Sequence, residues 1–271
     1  MLTASIVVTD PPMADLDNFF ECLKNSSVKP QLFVVDNSST PIDHPIIREY
    51  AFKHIKNGKN LGYGSAHNIA MRMILDTSEF HFVLNTDIRF GPDEFEKMLE
   101  FMRNNPNVGQ LMPKVLNEDG TLQYLCKLLP TPSDLMLRRF MPRAFHPLFR
   151  RRMERYELRF TGYDRIMDIP YLSGCFMLFR VAALRQVGLF DERFFLYPED
   201  IDLTRRMHAQ FRTVYFPGAS IIHAHARTSY KNARYLWRHT RNLIRYFNKW
   251  GWLHDPERTR VNRELLRQLK R

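Results

Sequence analysis

Cysteine is scarce in this 271-residue chain: Cys22, Cys126 and Cys175 have neither the number nor the spacing of a disulfide framework or a zinc site. That excludes a stapled secreted scaffold and points to a reducing, cytoplasmic compartment. No run reaches about 18 uninterrupted apolar residues, the length a membrane helix needs. The start MLTASIVVTD has neither a basic opening nor a long apolar run, so no signal peptide is expected. Internal repeats and low-complexity tracts are absent as well. The P-loop pattern GxxxxGK[ST] does not occur, and NGKNLGYGSAHNIAM, with Gly58, Gly62 and Gly64, is a poor phosphate loop whose glycines suit tight turns.

Negative charge is in the minority, with 29 acidic against 40 Lys and Arg residues and a formal net charge of +11. Such an excess calls for an acidic partner: nucleic acid, a phosphorylated small molecule or an anionic lipid headgroup. The excess is uneven. Residues 1 to 120 mix both signs, whereas Arg138, Arg139, Arg143, Arg150, Arg151, Arg152, Arg155 and Arg159 crowd one Pro-interrupted stretch, and the C-terminal region is again Arg-rich.

What is present is a folded composition, 44% hydrophobic, patterned as alternating strands and helices. The runs ASIVVT (4–9), QLFVVD (31–36) and FHFVLN (80–85) are too uniformly apolar for half-exposed strands. Between them LDNFFECLKNS and SAHNIAMRMILDT have helical character. This predicts an α/β fold, a mainly parallel mixed sheet flanked by helices. GPDEFEKMLEFMRNNP reads as a further helix, VGQLMPKVLNEDGTLQ as a strand and turn, and residues 128 to about 160 as a mobile or inserted segment. A strand over YLSGCFMLFR, a helix over VAALRQVG, a helix beginning at Asp200 and a strand over TVYFPGASIIHAHA complete the domain.

In such sheets ligands bind at the carboxyl ends of the strands, and those ends are polar here: Asp36, Asn37 and Ser38, then Asn85, Thr86 and Asp87. Asp87 alone could be a turn or helix cap. It could equally ligate Mg²⁺ or Mn²⁺, which prefer oxygen donors and leave positions for phosphate. In EDIDLTRR, Glu199, Asp200 and Asp202 could merely complement a helix dipole. The preceding FDERFFLYP would bury part of that turn and raise a carboxyl toward the range of a general base. His223 and His225 share one strand face, which makes His223 a candidate metal or phosphate contact, with Arg227 and Lys231 beyond it to neutralise phosphate.

Taken in order, VVDNSS, NLGYGSAHNIAM, VLNTDI, SGCFMLFR…VGLFDERFFLYPEDIDLTRR and IIHAHARTS resemble the family 2 glycosyltransferases of the GT-A fold, especially their bacterial rhamnosyltransferase-like branch. The resemblance covers roughly residues 4 to 231. It implies that Asp36 and Asn37 contact the nucleoside and that Asn60, Gly62 and Asn68 shape the nucleotide pocket. It further implies that Asp87 and His223 hold Mg²⁺ or Mn²⁺ against the sugar-nucleotide diphosphate, with Arg227 on the donor. Asp200 is then the general base, Glu199 the second catalytic carboxylate beside it, and Gly174, Phe195 and Tyr197, with Phe194, line the acceptor pocket. Asn85 stands where the full motif has its first acid, and VVTDPPM replaces a Thr-Tyr-Asn-like turn.

The expected division is a GT-A catalytic domain over 1–233, with a nucleotide-sugar part to about 90 and an acceptor part after it, then a basic amphipathic helical tail over 234–271. In NARYLWRHTRNLIRYFNKWGW an apolar stripe of Leu236, Leu243, Phe247 and Trp250 adjoins Arg234, Arg238, Arg241 and Arg245. That helix could pack on the domain or dock on anionic lipid, where a lipid-linked saccharide acceptor would reside. The enzyme expected is an inverting transferase of rhamnose from dTDP-rhamnose to a saccharide acceptor in bacterial surface polysaccharide assembly, with a UDP-hexose donor as the alternative. A nucleic-acid-binding protein would use Tyr235, Trp237 and Tyr246 among the arginines but leaves Asp87, Glu199, Asp200 and His223 without a role. A third class is a degenerate transferase that only binds sugar nucleotide.

Overall fold

The computed structural model describes residues 1–140, 146–224 and 233–270. The first three predicted strands form where their β-branched runs lie: β1 (Leu2–Val8), β2 (Gln31–Asp36) and, after a further strand β3 (Ala51–Lys56), β4 (Phe80–Leu84). They pair in parallel, with Ile6 opposite Val34 on one side and Leu84 on the other. Beyond them follow β5 (Ile88–Phe90), β6 (Val108–Leu116), β7 (Cys126–Lys127), β8 (Met167–Asp168), β9 (Tyr171–Leu172), β10 (Phe176–Arg180) and β11 (Arg212–His223). The main sheet runs β3-β2-β1-β4-β10-β6-β11-β5, with β8 added on β11, while β7 and β9 form a separate small ladder.

Strand β10 is antiparallel to both β4 and β6, so the sheet is mixed. This reversal matters. It brings the start of β10, rather than its end, to the carboxyl edge shared by β1, β2 and β4, with Phe176 opposite Leu84.

Helices α1 (Met13–Asn25), α2 (Pro45–Tyr50), α3 (Tyr63–Ile74) and α4 (Glu94–Asn104) cover the sheet. In α1, Leu16, Phe19, Phe20 and Leu23 fall on one face at three- and four-residue steps and are buried, the pattern of an amphipathic helix on a core. In α4, Phe95, Met98, Leu99 and Met102 do the same, and Phe95 stacks on Phe82 and Phe90. The opposite face of the sheet carries α3, α7 (Val181–Val187) and α8 (Glu199–His208), packed through Met71, Phe179, Leu184, Leu203 and Met207.

The Arg-rich stretch expected as mobile or inserted holds two helices, α5 (Pro132–Phe140) and α6 (His146–Tyr156). At the C-terminus α9 (Ala233–Trp250) ends at Gly251, whose φ of 99° suits glycine, and α10 (Pro256–Leu269) follows. Neither helix stands apart. Leu243, Tyr246 and Phe247 of α9 bury against Phe194 and Ile201, and Leu265, Leu266 and Leu269 of α10 join the largest apolar cluster.

Candidate active site

The carboxyl edge of the sheet gathers most of the residues singled out from the sequence, through backbone ties that the strand order creates. Just before β10, the Cys175 carbonyl accepts from the Asn85 N–H at 3.1 Å, and the adjacent Gly174 N–H donates to Asp200 Oδ2 at 3.1 Å. Two neighbouring peptide units thus join the end of β4, which leads to Asp87, with the start of α8, which carries Asp200. The Cys175 thiol, pushed up to about 12 chiefly by burial, also feels the charges of both Asp87 and Asp200.

At the β4 end, Asp87 Oδ1 lies 3.3 Å from His223 Nε2, at the end of β11. Register places His223 there, because it pairs with Ile88 of β5. Gln123 orients the ring: its Nε2 donates to the His223 carbonyl at 2.7 Å, which turns its Oε1 toward His223 Nδ1 at 3.1 Å. Nδ1 then carries the proton, an assignment that follows from the hydrogen-bond network. Nε2 faces the Asp87 carboxylate, to which it donates when the ring is protonated and beside which it offers a lone pair to a cation when it is not, with Asn85 Nδ2 at 3.3 Å. Burial works to raise the Asp87 carboxyl, but the hydrogen bond and charge of His223, with help from Asn85, outweigh it and hold the group below its usual value.

Two lone-pair donors converging in this way fit a divalent cation. Adjacent ligands of an octahedral ion at about 2.1 Å subtend about 3 Å, close to the Asp87–His223 separation. Among the described residues no cluster of three or more His, Cys, Asp or Glu side chains could complete the shell, so the remaining ligands would be oxygens from the substrate and water.

The three carboxylates of α8 have separate environments. Asp202 is wholly structural: fully buried, it accepts from Arg206 Nε at 2.9 Å, Trp250 Nε1 at 2.8 Å and Lys249 Nζ at 2.6 Å, pinning α9 to α8. Glu199 is buried at the turn of Gly64, and its Oε2 has no hydrogen-bond partner among the described residues. Burial first, and then the Asp200 charge, push its carboxyl well above the ordinary range. Asp200 has each oxygen fixed by one backbone N–H, Ile201 on Oδ1 at 2.8 Å and Gly174 on Oδ2.

Gly174 is needed for this approach, since a Cβ there would stand 3.2 Å from Asp200 Cβ. Tyr63, the first residue of α3, locks the same loop by donating from its hydroxyl to the Gly174 carbonyl at 2.6 Å. Gly62, at φ 89°, lets the loop ahead of α3 close onto the acidic segment: the Tyr63 N–H reaches the Phe195 carbonyl at 3.0 Å, and a Cβ on Gly62 would collide with that oxygen. Phe195 is half-buried under the Arg238 guanidinium, 4.3 Å from its ring centroid. Tyr197 is exposed and meets His239 edge-on at 5.3 Å. Phe194, expected as a wall of the pocket, is buried in the α8–α9 core instead.

Along the β2 side, the expected nucleoside contacts hold one another. Both Asp36 oxygens are engaged inside their own loop, by the N–H groups of Ser38 at 2.9 Å and Ile42 at 2.7 Å. Asn37 takes a bond from Asn57 at 2.8 Å and gives one to the Gly62 carbonyl at 3.3 Å, while Asn60 Oδ1 accepts from the Gly62 N–H at 2.9 Å. Asn68 is a buried staple, bonded through both amide atoms to the Phe190 backbone and also to Glu192. These residues shape the rim from behind it. Arg227, His225 and Lys231 lie outside the described residues.

Sequence reasoning missed Gln123, Tyr63 and Asp255. Gln123 follows a plain Asp-Gly turn in sequence and gains its role only because β6 and β11 are neighbours. Asp255 forms a buried bidentate pair with Arg205 at 2.8 Å and caps α10 at the Arg258 N–H, fastening α10 to α8.

Residues 14–188 match the family model described as Glycosyl transferase family 2. The chain is 28% identical over 244 residues to the N-acetylglucosaminyl-diphospho-decaprenol L-rhamnosyltransferase of Mycobacterium tuberculosis, covering 83% of this chain and 76% of that protein. It is 24% identical to the rhamnosyltransferase WbbL of Escherichia coli K12, covering 80% and 81%. Among solved structures, GalNAc-T7 with UDP, GalNAc and Mn²⁺ superposes with a TM-score of 0.63 at 12% identity. That match covers 92% of this chain but only 48% of the solved one, and shows the shared fold.

Proposed function

The chain belongs to glycosyl transferase family 2, and on that footing we propose an inverting transfer of rhamnose from dTDP-rhamnose to a saccharide carried on a lipid diphosphate. The observation that carries this reading is the Gly174–Cys175 link, which holds Asp200 and the Asp87 end of β4 to one loop. A base and a diphosphate platform on opposite sides of one reacting carbon are what an in-line displacement needs.

In the proposed reaction Asp200 takes the proton of an acceptor hydroxyl as that oxygen bonds to the anomeric carbon. The bond from that carbon to the phosphate oxygen breaks on the opposite face, and the nucleoside diphosphate departs with the electron pair. Inversion at the anomeric carbon follows from the single displacement. Asp87 and His223 would hold Mg²⁺ or Mn²⁺, which neutralises the charge developing on the leaving diphosphate. Glu199, buried beside it, supports the position of its neighbour. Asn37, Asn60 and Gly62 keep the nucleotide side of the cleft in shape, with Asp36 and Asn68 behind them.

The two rhamnosyltransferase relatives favour rhamnose, and the lipid-linked acceptor in the name of the mycobacterial protein favours an acceptor of that class. A surface-polysaccharide role of the O-antigen or capsule type and a peripheral place on the inner face of the cytoplasmic membrane accord with it. No helix among the described residues is long and apolar enough to cross a membrane. The test is a panel of dTDP- and UDP-sugars incubated with Mn²⁺ and an N-acetylglucosaminyl-diphospho-polyprenol acceptor, with the product's anomeric configuration read by NMR. Transfer of rhamnose with inversion supports the reading. Transfer of a hexose from UDP alone replaces the donor, and retention of configuration refutes the mechanism.

A further inference from the structure

The basic excess that the active site does not use is concentrated at a second place. A cleft of about 600 Å³ opens between α6, the segment after β7 and α10. Its floor is apolar: Leu128, Leu129, Tyr156 and Leu266 are all nearly buried. Its rim carries Arg155, Arg263, Arg267 and Lys270, all exposed. The last three recur at steps of four and three, which puts them on one face of α10 and its end. None of the four has an ion-pair partner among the described residues. By contrast Arg152, also at the cleft, is neutralised by Asp134 at 2.8 Å, and Arg260 is paired with Glu264 on the neighbouring face.

The cleft is firmly built. Asn262 clamps the Leu129 backbone from both sides, accepting from its N–H at 2.8 Å and donating to its carbonyl at 2.9 Å, and the Arg205–Asp255 pair fixes the start of α10. Four cations held around an apolar floor repel one another unless an anion sits between them.

We propose that this cleft and the adjoining α9–α10 turn are the surface by which the protein docks on an anionic phospholipid membrane, the rim cations taking headgroup phosphates. Two observations select a membrane over other anions. Leu253, 92% exposed on the turn, shares a smaller neighbouring concavity with Arg263 and Arg267, so an apolar side chain projects beside the cations where an acyl boundary would receive it. Tyr156, the aromatic residue lining the cleft, is buried, and the half-exposed Trp252 of the turn is held against Phe247 and bonded to Asn248, an amphipathic ring beside Leu253 of the kind found at membrane interfaces. The α9 helix, the surface expected from sequence, is less available: Arg238 covers Phe195, Arg245 bonds the Arg193 carbonyl, and Lys249 is paired with Asp191 and Asp202.

The proposal deepens the reading of a lipid-linked acceptor, and its test needs neither donor nor acceptor, so the two can fail separately. The full chain is sedimented with phosphatidylcholine–phosphatidylglycerol vesicles and with pure phosphatidylcholine vesicles. A triple reversal, Arg263→Glu, Arg267→Glu and Lys270→Glu, is compared with Lys24→Glu, Lys29→Glu and Arg103→Glu, exposed cations elsewhere that remove the same net charge. Thermal melting verifies that each variant is folded.

Binding to the anionic vesicles that falls about tenfold or more in the first variant, and little in the second, is the expected result. Leu253→Ser, which leaves every charge in place, should weaken binding severalfold. Equal losses in the two triple variants, indifference to both, or no vesicle binding by the native chain would overturn the proposal. Binding of a single-stranded RNA that is lost in the first variant while vesicles are ignored would assign the cleft to nucleic acid instead.

Discussion

Gly174 and Asp200 meet through one hydrogen bond, backbone N–H to Oδ2 at 3.1 Å, and a Cβ at position 174 would stand only 3.2 Å from Asp200 Cβ. The position of the proposed base is therefore set by a strand end 26 residues earlier in the chain. Gly174→Ala should shift Asp200 by a few tenths of an ångström and lower kcat by about tenfold. Donor affinity should stay close to native. Steady-state kinetics alongside donor titration checks the split.

Gln123 should matter to the metal without touching it. Its amide fixes the tautomer and tilt of His223 from both sides. Gln123→Ala is expected to weaken Mn²⁺ affinity about tenfold to a hundredfold, the usual effect of losing such a partner. Mn²⁺ titration in the presence of a nucleoside diphosphate measures it.

The strands and the helices over the catalytic sheet were legible because burial on both faces leaves an unbroken apolar run, and α1 and α4 carry clean three- and four-residue spacing. The polar strand ends located Asp87 and His223 for the same reason. What the pattern could not give was side-chain employment. Asp36 and Asn68 look like ligand contacts in sequence but satisfy backbone groups, since buried N–H and C=O groups away from regular elements need partners. Asp202 sits two positions from Asp200 yet faces α9, because a step of two on a helix turns the side chain to a different face. Helix α10 lies within the helical tail expected from the sequence, but its packing was not legible there, since its apolar positions are diluted by arginines and it is anchored by the long-range Arg205–Asp255 pair.

That pair gives a stability prediction. Both side chains are almost fully buried, and removing Asp255 leaves the Arg205 guanidinium with Glu257, at 2.7 Å, as its remaining carboxylate. Asp255→Ala should cost about 2–3 kcal/mol of folding stability. Chemical denaturation checks the loss, and turnover should fall with it, because Arg205 belongs to the helix that carries Asp200.

Acid sensitivity should come from a buried histidine chain between β1, β4 and α3. His67 bonds Ser5 at 2.8 Å, Ser5 bonds His81 at 2.9 Å, and His81 bonds Thr3 at 2.9 Å. Burial lowers His81 to about 3, and burial with the proximity of His81 lowers His67 well below its ordinary value. Above about pH 6.5 both are neutral folded or unfolded and contribute no pH dependence. Below it the unfolded chain binds protons that the folded chain refuses, so stability falls, by roughly 2 kcal/mol for His81 between pH 6.5 and 5, with His67 acting in the same direction. Melting temperatures across that range should drop steeply in the native chain and less steeply in His81→Gln.

The central claim is a division of labour, diphosphate and metal on Asp87, proton on Asp200. The most direct measurement pairs dTDP-rhamnose binding by calorimetry, with Mn²⁺ and with chelator, against turnover, in the native chain, Asp87→Ala and Asp200→Asn. The account requires metal-dependent binding that Asp87→Ala abolishes, and Asp200→Asn that binds donor normally while kcat falls by about 10²–10⁴-fold. Donor binding indifferent to chelator and to Asp87→Ala, or near-native turnover in Asp200→Asn, would contradict it.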